Sequence, residues 1–191
     1  MPRSASNPLV RNRVLKIAVF SNPEASAVGP GEMGHSALHR SPTAAQAGLM
    51  NVGSIVVGVD GSKASAAALR WAIEEGRLRS TRVLAVTSWT YPTMIFADAY
   101  VLPEAAAIRE EADALLESAI ADATAGGEVP EYLDRRVSDG APASTLLDLS
   151  AGASLVVVGA RGHGGFVGLL VGSVATQVVN HAKCPVVVVP S

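Results

Sequence analysis

Apolar positions divide this chain unevenly. Little regular pattern precedes residue 50, and strand-like and helix-like patterns alternate after it. Residues 54–59 read Ser-Ile-Val-Val-Gly-Val, a continuous apolar run of the kind buried on both faces of a parallel sheet. The run ends in Asp60-Gly61-Ser62, with Ser62 suited to cap a helix, and Leu69, Ala72, Ile73 and Gly76 then form one helical face to about Arg79. A second strand is predicted over 82–88. Residues 89–102 carry Trp89, Tyr91, Pro92, Met94, Phe96 and Tyr100 without a period, so they read as a loop whose aromatics pack over the sheet edge or cover a base. Pro103 suits a first helical turn, and Ile108, Ala112, Leu115 and Ala119 continue one face until Gly126-Gly127 stops it. A polar strand over 131–137, a helix over 144–150 and an apolar strand over 155–159 follow. Val174, Ala175, Val178 and Val179 stripe a fourth helix, and Val186–Val189 form a last strand between two prolines.

Strands alternating with helices argue for right-handed crossovers, a parallel sheet and helices on both of its faces. Ligands of such sheets bind beyond the carboxyl ends of the strands, where the strand order reverses. The two strand ends richest in glycine and polar residues are Asp60-Gly61-Ser62 and 159–165, and one crevice holds both if their strands are neighbours.

The chemistry of the second strand end is the more informative. Residues 159–173 run Gly-Ala-Arg-Gly-His-Gly-Gly-Phe-Val-Gly-Leu-Leu-Val-Gly-Ser between a strand and a helix. Glycine permits close approach, and the unpaired amides and positive dipole end of the next helix attract anions, so this loop is a phosphate-binding candidate. No lysine follows a glycine as a nucleoside-triphosphatase loop requires, and Val167 stands where a dinucleotide fingerprint needs its third glycine. The spacing that remains is Gly-x2-Gly-x9-Gly-Ser.

Composition narrows the classes. The 191 residues are 49% hydrophobic and 17% charged, enough for one domain core, and a net charge of −2 gives no basic surface for nucleic acid or an acidic membrane. Cys184 is the single cysteine, which excludes an internal disulfide and fits a reducing, cytoplasmic compartment; it reads as a small buried hydrophobe. No apolar run reaches membrane-spanning length. Residues 1–50 scatter five prolines among Ser, Ala and Gly, so they are expected to be a poorly ordered extension with one candidate strand at 14–20. Arg11 and Arg13 before an apolar stretch resemble a signal peptide, but that stretch is short and contains Lys16. Met33 and Met50 are alternative starts for a compact domain over 51–191.

Together, Ile55-Val56-Val57-Gly58-Val59-Asp60-Gly61-Ser62, Gly159-Ala160-Arg161-Gly162-His163-Gly164-Gly165, Gly172-Ser173-Val174 and Cys184-Pro185-Val186 resemble the ATP-binding branch of the universal stress protein family across residues 52–190. The resemblance implies an open α/β fold of the nucleotide-binding, α-hydrolase-like or Rossmann-like kind, with a five-stranded parallel sheet in the order 3-2-1-4-5. It implies ATP, with Mg2+, as the ligand. Adenine and ribose would lie near Gly58, Asp60 and Val86, the last supplying a backbone partner and an apolar wall. The phosphates would lie on the loop Gly159, Ala160, Arg161, Gly162, His163, Gly164 and Gly165 and on Gly172, Ser173 and Val174. Arg161 would neutralise phosphate charge. Ala160 replaces a frequent serine but keeps its N–H, and Val171 replaces a common leucine. His163 alone, without a partner, is no catalytic group.

These residues suggest a binding module for stress regulation, not an enzyme, since parts that accelerate phosphoryl transfer are not assignable. A cyclic-AMP binder on the same fold is the alternative. An adenylate-forming pyrophosphatase is a poorer match, because Asp60-Gly61-Ser62-Lys63-Ala64-Ser65 departs from its loop. The uncharged run Val186–Val189 makes an edge that needs a cover. The resemblance implies a homodimer through that strand, and the N-terminal segment over 14–20 is the other candidate cover.

Overall fold

A computed structural model describes residues 18–20, 53–90, 104–162 and 171–190. In chain order the elements are β1 (Ala18–Phe20), β2 (Ile55–Gly58), α1 (Lys63–Arg79), β3 (Val83–Trp89), α2 (Ala105–Ala123), β4 (Leu133–Asp139), α3 (Pro142–Ser150), β5 (Leu155–Gly159), α4 (Ser173–His181) and β6 (Val186–Val189). The sheet is ordered β1-β6-β5-β2-β3-β4. From β2 onward its five strands are parallel and follow 3-2-1-4-5, so β2 and β5 are neighbours, as the single-crevice argument requires.

The valine-rich runs become central strands because both faces of the sheet are covered. Ile55, Val57 and Val59 point into a core with Leu69 of α1 and Leu116 of α2. Val56, Val156 and Val158 point the other way, onto Leu146 of α3 and Val178 of α4. Ile55, Val56, Val57, Val156 and Val157 are all fully buried.

Several boundaries shift for local reasons. Trp89 is the last residue of β3, in register with Asp139, and does not belong to a loop. The predicted strand at 131–137 begins at Leu133, because its N–H turns back to the Pro130 carbonyl at 2.9 Å. The third helix starts at Pro142, two residues before its predicted start, with proline in the first turn where no N–H is needed. On α2 the buried line is Ala112, Leu116 and Ile120, while Leu115 and Ala119 flank it. The aromatics Tyr91, Phe96 and Tyr100, with Met94 and the start at Pro103, lie outside the described residues.

The two sheet edges differ. Edge strand β4 is polar, and Asp134 accepts from Arg82 Nε at 2.7 Å. At the other edge, β1 pairs antiparallel with β6, with Ala18, Val19 and Phe20 opposite Val188, Val187 and Val186. The edge that the homodimer expectation assigned to a second copy is thus paired with β1, from the segment predicted as the alternative cover. The rest of the 1–50 extension lies outside the described residues.

Candidate functional site

The crevice opens where the chains leaving β2 and β5 diverge at the carboxyl end of the sheet. A cavity of about 500 Å³ there brings together Gly58, Asp60, Val86, Gly159, Ala160, Arg161, Gly162, Gly172, Ser173 and Val174. That size suits a small organic ligand. His163, Gly164 and Gly165, predicted for the same loop, lie outside the described residues.

One wall is the turn after β2. Gly61 has φ +81°, in the left-handed region that favours glycine. The Asp60 Oδ1 atom accepts the Ser62 N–H at 3.0 Å, and the Asp60 N–H donates to Ser65 Oγ at 3.3 Å. Ser62 caps α1 as predicted, its hydroxyl accepting the Ser65 N–H at 3.1 Å. Asp60 thus shapes the turn and keeps an exposed carboxylate at the cavity.

Two backbone groups named for the site already have partners in the sheet. The Val86 carbonyl accepts the Val59 N–H at 2.8 Å, so Val86 offers its buried side chain as an apolar wall and its carbonyl is engaged in the sheet. The Ala160 N–H donates to the Val189 carbonyl at 2.7 Å and so serves the β5–β6 junction, not a ligand. Neither commitment is visible without knowing which strands lie alongside.

The glycines separate by what a side chain would meet. A Cβ on Gly159 would lie 2.7 Å from the Ala64 carbonyl carbon and from the Ser65 nitrogen, so this glycine lets α1 press on β5. A Cβ on Gly162 would strike the Asp60 carboxylate, and one on Gly58 would come 3.0 Å from a Leu146 methyl. Gly172 differs, because its nearest protein neighbour would be the Ala160 oxygen at 3.5 Å, an ordinary contact. Its φ of −77° also admits any residue. Within the described protein, neither strain nor crowding requires glycine at 172.

Gly172 is the N-cap of α4 and provides no side-chain cap. The Gly172 N–H donates to the Ala160 carbonyl at 2.7 Å, and the Gly172 carbonyl accepts from the Thr176 N–H at 2.9 Å. The amides that follow, at Ser173 and Val174, belong to the first turn, where an α-helix offers no intrahelical acceptor. With the exposed Ser173 hydroxyl they form an anion-binding end that borders the cavity.

The cavity also has walls that the sequence did not point to. Ser88 and Trp89 extend the β3 side, Ile108, Glu111 and Leu115 come from α2, and Pro142 and Leu146 come from α3. Ile108 and Leu115 were legible only as helix-face positions. Asp60, Glu111 and Arg161 are the charged residues of this lining. Among the described residues no group of three or more His, Cys, Asp or Glu side chains is placed to hold a metal. No helix there is long and apolar enough to cross a membrane.

The comparisons with known proteins agree with this geometry. The family model described as the universal stress protein family matches residues 51–190. A universal stress protein of Mycolicibacterium smegmatis is 35% identical over 139 residues, covering 71% of this chain and 45% of the relative. One from Mycobacterium tuberculosis is likewise 35% identical, with 70% and 44% covered. The chain spans less than half the length of these relatives. Among solved structures, a universal stress protein from Lactobacillus plantarum superposes with a TM-score of 0.50 at 27% identity, covering 73% of this chain and 98% of that one. A universal stress protein in complex with cAMP gives a TM-score of 0.55 at 26% identity, with 72% and 97% covered. With the sheet order, the turn at Asp60 and the glycine-bearing second wall accounted for, and with a family match over residues 51–190, the chain belongs to the universal stress protein family.

Proposed function

We propose that the crevice binds an adenine nucleotide, ATP with Mg2+, and that the domain acts as a regulatory module whose state follows nucleotide occupancy. The observation that carries this reading is the cavity that the α4 N-terminus, with no side-chain cap at Gly172, shares with Asp60. Among the described residues a Cβ at Gly172 would make only ordinary contacts with the 160–162 backbone, and the adjoining helix end suits a phosphate. The phosphates would rest on the Ser173 and Val174 amides and the Ser173 hydroxyl, with the Arg161 charge at the rim. The Asp60 carboxylate would accept from ribose hydroxyls or the adenine amino group, and Val86 with Leu146 would wall the base. Mg2+ would neutralise phosphate charge, which asks few ligands of the protein.

The reading treats the site as one that holds a nucleotide and does not turn it over. Asp60, the carboxylate in the turn after β2, already serves that turn, and the one basic residue of the described cavity lining, Arg161, is assigned to neutralising phosphate charge. A cytoplasmic location follows the same reading. Self-association through β6 is left out, since β1 occupies that edge.

The second reading, cyclic AMP as the ligand, is favoured by the structural relative in complex with cAMP. Thermal melting of the full chain with millimolar ATP, cAMP or GTP tests both, because a ligand specific for the folded state must raise the midpoint by mass action. ATP with Mg2+ is expected to give the largest rise. A larger rise with cAMP favours the second reading, and no rise with either adenine nucleotide contradicts both.

A further inference from the structure

Ser62 does not line the cavity, yet it makes a side-chain hydrogen bond that joins the two crevice walls. Its Oγ donates to the Arg161 carbonyl at 3.2 Å, across 99 residues of sequence, while accepting the Ser65 N–H at 3.1 Å. One hydroxyl can do both, having one donor and two acceptor positions. The segment 160–162 is therefore held at three points. The Ala160 N–H is tied to Val189, the Ala160 carbonyl to the Gly172 N–H, and the Arg161 carbonyl to Ser62. The first two fix Ala160, and the third fixes the peptide that follows.

A trans peptide is planar, with its C=O and N–H on opposite sides. Holding the Arg161 carbonyl on Ser62 therefore keeps the Gly162 N–H directed away from α1, and Gly162 borders the cavity. A flip of this peptide would exchange an amide donor for a carbonyl oxygen, which repels an anion. Asp60 backs Gly162 closely enough that a side chain there would strike its carboxylate.

We infer that Ser62 is a positioning residue for phosphate recognition: from the cap of α1 it holds the 161–162 peptide in the orientation that offers an amide to a phosphate. The inference rests on the nucleotide reading for its ligand, and the contact itself stands on the geometry alone. It also explains why the wall after β2 matters for phosphates although its cavity-lining acid, Asp60, is assigned to the sugar and base.

The test compares full-length wild type with Ser62→Thr and Ser62→Gly. Threonine keeps the hydroxyl, whereas glycine removes it and is itself a well-tolerated N-cap residue. Calorimetric affinities for ATP with Mg2+ and for uncharged adenosine are measured beside hydrogen exchange at the Gly162 amide. Ser62→Gly should weaken ATP about two- to tenfold, the range for losing one neutral hydrogen bond, and leave adenosine unchanged. Ser62→Thr should match wild type. Equal losses for ATP and adenosine, or none for ATP, overturn the inference while leaving the nucleotide reading intact. If wild type binds neither ligand, that reading has failed and Gly162 exchange alone decides. Faster exchange in Ser62→Gly then supports the latch, and unchanged exchange removes it.

Discussion

Gly159 and Ala64 meet so closely that a β-carbon on Gly159 would fall 2.7 Å from the Ala64 carbonyl carbon. A helix backbone cannot move aside as a flexible side chain can. Gly159→Ala should therefore destabilise the domain by about 1–3 kcal/mol, the usual cost of overpacking, seen as a lower urea midpoint. Gly172→Ala, whose methyl meets nothing nearer than 3.5 Å among the described residues, should change the midpoint far less. Equal losses at the two positions would contradict the separation into packing and ligand glycines.

The contact between Gly162 and Asp60 predicts a coupling. Gly162→Ala should be destabilising in the wild-type background, because the new methyl meets the Asp60 carboxylate. It should be much less so when Asp60 is already alanine. A double-mutant cycle read by chemical denaturation should give about 0.5–3 kcal/mol of interaction, and additive effects would show that the two residues do not meet in solution.

At the sheet edge, the account predicts that β1 keeps the chain from pairing with a second copy through β6. Successive N–H groups of a strand point to opposite sides, so prolines at both Val19 and Phe20 must remove at least one of the few ladder donors of this three-residue strand. Light scattering should show a monomer for wild type and self-association for the double-proline variant. A wild-type dimer, or an unchanged variant, counts against the edge assignment. Val187→Glu is not an equivalent probe, since Val187 is 2% exposed and the charge would enter the core.

Cys184 offers a pH test. Burial disfavours the thiolate and pushes its pKa up to about 11, so the folded protein holds it as the unreactive thiol below that value. Alkylation by iodoacetamide at pH 8 should be slow in the native protein and speed up in urea, where the group returns toward its ordinary value. Native alkylation at the unfolded rate would show an open, reactive cysteine.

Much of the fold was readable because β2, β5 and β6 are runs of Val, Ile and Leu ended at most by a glycine and β3 opens Val-Leu-Ala-Val, while glycine and proline mark several ends. The exceptions have physical causes. Strand β4 is polar, so its apolar pattern gave no clear edge, and the α2 stripe slipped by a position because steps of three and four both keep a residue on one helix face. The crevice was readable for a similar reason: its two walls concentrate Asp, Ser and Gly where the strands end. What the sequence hid depends on contacts between distant segments. Whether the Ala160 N–H is free depends on Val189, whether the Val86 carbonyl is free depends on Val59, and the bond from Ser62 to Arg161 joins positions 99 residues apart. The α2 wall of Ile108 and Glu111 depends on how far that helix reaches past the sheet.

The most direct measurement of the central claim is a calorimetric titration of ATP with Mg2+ into the full chain and into Gly172→Val, with the melting temperature of each recorded first. The account predicts saturable binding to wild type and its loss in a variant that remains folded, because a valine side chain beside the α4 amides crowds a bound phosphate. Equal binding by both proteins, or none by wild type, would contradict it.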